Sequence, residues 1–264
     1  MRFLRFCGKE IFEKLLSDSY EVFEHTCDGL IAGDENKEVK KIGVCFKLTA
    51  SLICAARDQG VDMIITHEPT FSHGDRREDA CPFDLKKWAL LDESGITLYR
   101  FHDHAHHREN DYIHAGFIKA LGLKINRKYP PESLGVRRYE LAEEITAAQL
   151  AERIKEILGI EFLRVVGKAD FPLKTICLGL GGVGFNQINK LFDPGCDLFV
   201  TGETGEVCVA EYLRDACFFG ENKVLFILGH YGSEFSGMKL LAEDVNETFG
   251  NTVFLDGKEV YYKI

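Results

Sequence analysis

Hydrophobic and polar positions along this chain switch repeatedly between two periods. Short apolar runs at 41–46, up to His67, and at 96–101 read as strands, and between them apolar positions recur at helical spacing. The spacing predicts helices over 9–24, where Ile11, Leu15 and Leu16 share a face, then over 49–59, 83–94 and 110–121. Gly60, Gly95 and Gly122 stand where those last three helices must stop. The second half repeats the rhythm. Strands are predicted near 137–141, 161–166, 174–179, 197–201, 223–229 and 252–256, with helices at 146–158, 185–192, 205–217 and about 236–249.

Strand–helix alternation of this kind implies sheets with crossover helices. The predicted class is α/β: two α/β/α lobes with mixed, mostly parallel sheets. Pro130-Pro131 and Gly135 mark a seam. It divides the chain into a lobe over 1–130 and a lobe over 131–264, with about 223–264 expected to return to the first lobe. The segment 69–82, charged and bounded by Pro69 and Pro82, reads as a loop.

Composition narrows the function classes. The chain has 264 residues, 45% of them hydrophobic and 28% charged, which suits a globular protein with one or two cores. A formal charge of -10 argues against a partner bound through nucleic-acid phosphates, and Arg76-Arg77 and Arg137-Arg138 are only pairs. The nine cysteines form no C-x-x-C pair and read as reduced thiols of a cytoplasmic protein. No signal peptide and no membrane-length apolar run is visible, so no membrane partner is expected.

The chemistry lies at three strand ends. Asp62-Met63-Ile64-Ile65-Thr66 delivers His67-Glu68. The run 96–101 delivers His102, Asp103, His104, His106 and His107. Val224-Leu225-Phe226-Ile227-Leu228-Gly229 delivers His230, with Glu234 a helical turn later. Open α/β sheets bind ligands beyond the carboxyl ends of their strands, so the three clusters are placed to serve a metal site in a cleft there. Imidazole and carboxylate donors suit Zn²⁺, Mn²⁺ or Fe²⁺. Each cluster taken singly also fits a polar loop or a capped helix start; three strand ends together favour the metal. His67-Glu68 does not open a zincin motif, because Pro69 breaks the helix that motif needs and Phe71 occupies its second histidine position.

Gly179-Leu180-Gly181-Gly182-Val183-Gly184 fits G-x-G-x-x-G between a strand and a helix. An NAD-binding oxidoreductase is one reading. The acidic residue expected about twenty positions on is ambiguous between Asp197 and Glu203, so a plain tight turn with exposed N–H groups is preferred.

Five segments together resemble the Nif-three-like dinuclear metal centre proteins, also called GTP cyclohydrolase 1 type 2 homologues. They are Gly60–Glu68, Ile96–His106, Gly181–Gly184, Phe199-Val200-Thr201-Gly202-Glu203 and Gly229-His230-Tyr231-Gly232-Ser233-Glu234. The resemblance implies two divalent ions per subunit and a homo-hexamer. It also implies ligands at His67, Glu68, His106, His230 and Glu234, with His102 as a further ligand or supporting residue. Two positions depart from the family pattern: its second histidine is Glu68 here, and its aspartate is His106. The exchange is reciprocal and leaves the ligand charge unchanged; Asp103 or His104 taking over is the alternative. The implied activity is metal-assisted hydrolysis of a small, nucleotide-like or phosphate-containing substrate by a metal-bridging hydroxide, with Glu203 as a candidate proton carrier. A non-catalytic metal-binding regulatory or chaperone-like protein is the alternative.

The reciprocal exchange is testable. Glu68→His combined with His106→Asp should retain more metal by elemental analysis than either single change. A double variant as poor as the sum of the singles would remove the argument.

Overall fold

The computed structural model describes residues 6–20, 24–133, 135–189 and 195–261. The first half of the chain runs β1 (Phe6–Cys7), α1 (Gly8–Leu16), β2 (Gly29–Ala32), β3 (Glu38–Val39), β4 (Ile42–Cys45), α2 (Ala50–Asp58) and β5 (Met63–Thr66). It continues with α3 (Pro82–Ser94), β6 (Thr97–Arg100), α4 (Asp103–His106), α5 (Tyr112–Leu121), β7 (Ile125–Ser133) and β8 (Val136–Thr146). The second half runs α6 (Ala147–Leu158), β9 (Arg164–Gly167), β10 (Pro172–Gly182), α7 (Phe185–Ile188), β11 (Leu198–Glu203) and α8 (Glu211–Phe218). It closes with β12 (Val224–Ile227), α9 (His230–Phe249) and β13 (Thr252–Phe254).

The chain divides into two compact units. One holds the residues up to Tyr112 together with Met238–Lys258; the other holds Ile113–Gly237 and the residues from Glu259. The division falls between Tyr112 and Ile113, inside α5, and Pro130-Pro131 lies within β7. β7 is the outermost strand of its sheet, paired to β8 with repeated register shifts. An edge strand tolerates prolines because one row of its N–H groups has no ladder to serve.

The first unit is built on a sheet ordered β13-β4-β5-β6-β2, parallel except for β2. Every residue of β4 and β5 is buried, as expected of parallel strands covered on both faces. Ile64 and Leu98 pack with Leu52, Ile53, Trp88 and Leu91 of α2 and α3. Tyr99, one residue on and so on the opposite face, stacks on Phe12 of α1 at 4.5 Å between ring centroids.

The second unit carries the sheet β7-β8-β10-β11-β12-β9. Its centre, β10-β11-β12, is parallel, and β8 and β9 flank it antiparallel. Ile188, Phe199, Leu213 and Leu225 belong to one core cluster there. Both sheets therefore have the mixed α/β character read from the sequence. Among the described residues no helix is long and apolar enough to cross a membrane.

Several elements differ from their predicted limits. α1 stops at Leu16, not 24, because Ser17 and Ser19 turn their hydroxyls back onto the carbonyls of Lys14 and Leu16; residues 21–23 of the predicted helix lie outside the described residues. The predicted helix 185–192 is seen as Phe185–Ile188, and 190–192 lie outside the described residues. α9 begins at His230, six residues earlier than its apolar periodicity. Ser233 supports that first turn by donating to the His230 carbonyl. The predicted helix at 205–217 opens with a π-helical turn, Glu206–Ala210.

Gly116 in α5 shows how tightly the second unit packs. A Cβ there would overlap the Gly237 backbone and lie 2.5 Å from the Ser236 carbonyl oxygen. Helix propensity alone makes Gly116→Ala stabilising by about 1 kcal/mol. We expect a net loss of about 1–3 kcal/mol in denaturant unfolding from the overlap. A stabilised variant would refute this packing.

Candidate metal centre

Strand register places the first donors. Thr66 pairs with Arg100 across the parallel β5–β6 ladder, so His67 emerges beside Phe101. The Phe101 N–H donates to the Thr66 carbonyl at 2.9 Å, and the His67 ring Nδ1 lies 3.0 Å from the Phe101 carbonyl. A carbonyl can only accept, so Nδ1 carries the proton and the His67 lone pair is on Nε2. His67 itself is fully buried.

His102 and His106 come from the turn after β6. His102 Nδ1 is 2.9 Å from Asp103 Oδ1, and His106 Nδ1 is 3.1 Å from Asp111 Oδ2. Each imidazole thus donates at Nδ1 to an oxygen, as metal-binding histidines do when a second residue orients them. The three rings gather closely: centroids are 4.5 Å apart for His67–His102, 5.0 Å for His67–His106 and 5.1 Å for His102–His106. One nitrogen from each lies within 4.8 Å of the other two. Glu68 joins them, its Oε1 3.6 Å from His102 Nε2.

Asp28 holds this turn in place. Its carboxylate accepts the backbone N–H groups of His102, Asp103 and His104 at 2.5, 3.1 and 2.8 Å. It therefore caps α4 from a distant part of the sequence. The same carboxylate takes the His104 ring Nδ1 at 2.7 Å, so His104 is turned to Asp28. Asp103 accepts from Thr26 Oγ1 and the Cys27 N–H besides His102. The His102 hydrogen bond and those from Thr26 and Cys27 hold its carboxyl well below the usual range, against the opposing effect of burial. Cys27 lies with His102 and Asp103 in a second donor group, and burial pushes its thiol up to about 12.

The second unit builds its own donors at the start of α9. His230 Nδ1 is 2.8 Å from Glu203 Oε1 at the end of β11, and His230 Nε2 is 3.5 Å from Glu234 Oε2. Glu203 is thus the residue that orients His230. The glycine-rich turn packs against this pair. Gly181 has φ +80°, and a Cβ there would overlap Glu234 Oε1; its N–H donates to Ser233 Oγ at 2.9 Å. At Gly202 a Cβ would lie 2.6 Å from Ser233 Oγ. Gly181 and Gly202 therefore make room for the donor helix, and Gly181 and Gly182 still belong to β10 rather than to a phosphate-binding turn.

The sequence reading missed Asp28, Asp111, Cys27 and the Phe101 carbonyl. Asp111, five residues after His106, carried a weak signal as a carboxylate beside a histidine run. Asp28 carried none.

Imidazole and carboxylate donors with fixed tautomers, gathered at the carboxyl ends of strands, can hold divalent metal ions. The sequence model for Duf34/NIF3 (NGG1p interacting factor 3) matches residues 10–258. The chain belongs to the Duf34/NIF3 family. The resemblance read from its motifs is borne out. It is 30% identical over 245 residues to the "GTP cyclohydrolase 1 type 2 homolog" of Clostridium perfringens, covering 88% of this chain and 87% of that protein. Among solved structures, reduced HcgD from Methanocaldococcus jannaschii matches with a TM-score of 0.77 at 20% identity, covering 97% of this chain and 100% of that one. A Bacillus cereus protein related to NIF3 matches with a TM-score of 0.73 at 19% identity, covering 98% of each. These two structural likenesses establish the fold.

Glu203→Gln keeps the size of the side chain and removes its charge. It should weaken divalent-metal affinity roughly 10–100-fold in competition with a chromophoric chelator, with thermal unfolding of the metal-free protein unchanged. Unaltered affinity would show that Glu203 does not support His230 as a ligand.

Proposed function

We propose that this protein is a dinuclear-metal-dependent hydrolase acting on a small, nucleotide-like or phosphate-containing substrate. The candidate ligands are His67, Glu68, His102 and His106 in the first unit, and His230 and Glu234 in the second. The observation that carries the reading is the trio of imidazoles in the first unit, each donating at Nδ1 to an oxygen. Fixing the tautomer in advance removes the ordering that a metal would otherwise impose. The name carried by the Clostridium perfringens relative supports a nucleotide-like substrate.

Bound divalent ions would supply Lewis acidity and lower the pKa of a water molecule. The chain's own residues do the rest. Phe101, Asp103, Asp111 and Glu203 hold the imidazoles in orientation. Glu203 is also 59% exposed, so its carboxylate reaches solvent while it accepts from His230. His106 in place of the family's aspartate keeps a carboxylate at its back, Asp111, so negative charge is retained one residue further from the donor atom.

Protein purified without chelators should carry at least two divalent equivalents per chain by elemental analysis. His67→Ala and Glu234→Ala should each lower that content. Turnover of a panel of nucleotides and phosphoesters should disappear on chelation and return with Zn²⁺, Mn²⁺ or Fe²⁺. Metal retained with no turnover on any panel member would support the non-catalytic, regulatory or chaperone-like reading instead.

A further inference from the structure

The loop between β5 and α3 gathers a second set of donor atoms that the proposed centre does not use. Cys81 is the N-cap of α3, and Asp84 lies in that helix's first turn. The Asp84 side chain is only 8% exposed, and both its oxygens lie 3.2 Å from the Ser72 backbone nitrogen. Ser72 Oγ donates to Asp84 Oδ2 at 2.5 Å. Around that same hydroxyl stand His73 Nδ1 at 2.9 Å and Cys81 Sγ at 3.6 Å. His73 Nδ1 is 3.8 Å from Asp84 Oδ2. One nitrogen, one sulfur and one carboxylate oxygen thus lie within 4.8 Å of one another.

Helix capping explains part of this arrangement. A carboxylate in the first turn of α3 favours the helix dipole, and Ser72 satisfies it. Capping does not require an imidazole and a thiol at the same hydroxyl. Among the described residues no Lys or Arg nitrogen forms an ion pair with Asp84, although the Lys87 ammonium one turn along α3 attracts it; the His73 ring 3.8 Å away is 63% exposed. The Ser72 hydrogen bonds hold the Asp84 carboxyl down at about 2, so it is anionic at neutral pH. An anionic carboxylate gathered with an imidazole and a thiol is a donor set suited to a divalent ion.

We propose that His73, Cys81 and Asp84 form a mononuclear site for a borderline-soft divalent ion, Zn²⁺ by its ligand chemistry. Three protein donors leave an open coordination position for water. The thiolate and imidazole discriminate against Mg²⁺ and Mn²⁺, which prefer oxygen. Binding breaks the Cys81 S–H bond, forms a metal–sulfur bond and releases the proton to solvent. Ser72 keeps Asp84 oriented as the supporting hydroxyl. The site shares no donor with the His67–His102–His106 group and is independent of whether that group is catalytic.

Cobalt substitution of the full chain tests this. Co²⁺ bound to a thiolate gives a near-ultraviolet charge-transfer band that imidazole and carboxylate ligands alone do not. The band should appear in the wild-type protein, vanish in both Cys81→Ser and His73→Ala, and persist in Cys27→Ser. That last control separates it from the thiol beside His102. In the unaltered protein, Zn²⁺ should slow alkylation of Cys81 several-fold, read by peptide mapping. A missing band, a band lost in Cys27→Ser rather than Cys81→Ser, or alkylation indifferent to Zn²⁺ would overturn the site.

Discussion

A metal centre made of imidazoles depends first on the proton at Nδ1. In the first unit His67 donates there to the Phe101 carbonyl, His102 to Asp103 and His106 to Asp111; in the second unit His230 donates to Glu203. Each of these contacts fixes both a tautomer and a ring plane, and each is set by the fold. The first follows directly from the register of β5 on β6, which brings His67 alongside Phe101. A one-residue slip of that ladder would turn His67 to the other face of the sheet and separate it from the other two rings. The continuous burial of β4 and β5, which fixes the register by packing on both faces, is therefore also what positions a candidate ligand.

The second constraint is the turn after β6. Four residues of helix cannot stabilise themselves, and α4 has just that length. Asp28 supplies what the helix lacks by accepting three consecutive N–H groups at its start. Asp103 ties the same turn to Thr26 and Cys27. Residues 26–28 thus act as a brace for His102 and His106, although they contribute no ligand to the proposed centre.

Strand ends were the legible part of the candidate site. His67, His102, His106, His230 and Glu234 all follow apolar runs whose period reveals a strand, and the two α/β sheets follow from the same alternation. The supporting carboxylates were hidden for a physical reason. A residue such as Asp28 acts across a long separation in sequence and sits in a segment with no hydrophobic period, so nothing local marks it. The same limit explains α1, where helical spacing ran on to 24 but two serine hydroxyls ended the helix at Leu16. It also explains Pro130-Pro131, where a turn signal lies inside an edge strand that can accept it.

The glycine-rich segment shows how one pattern can satisfy two opposed readings. G-x-G-x-x-G signals a backbone that must come close to something. In a dinucleotide fold that something is a pyrophosphate; here it is the side chains of a neighbouring helix. Gly181, at positive φ, abuts Glu234 and gives its N–H to Ser233, and Gly202 on β11 leaves space for the same serine. A side chain at either glycine would push away the first turn of α9, and with it both His230 and Glu234. The motif is thus explained without a cofactor: it is the space in which the second pair of donors is held.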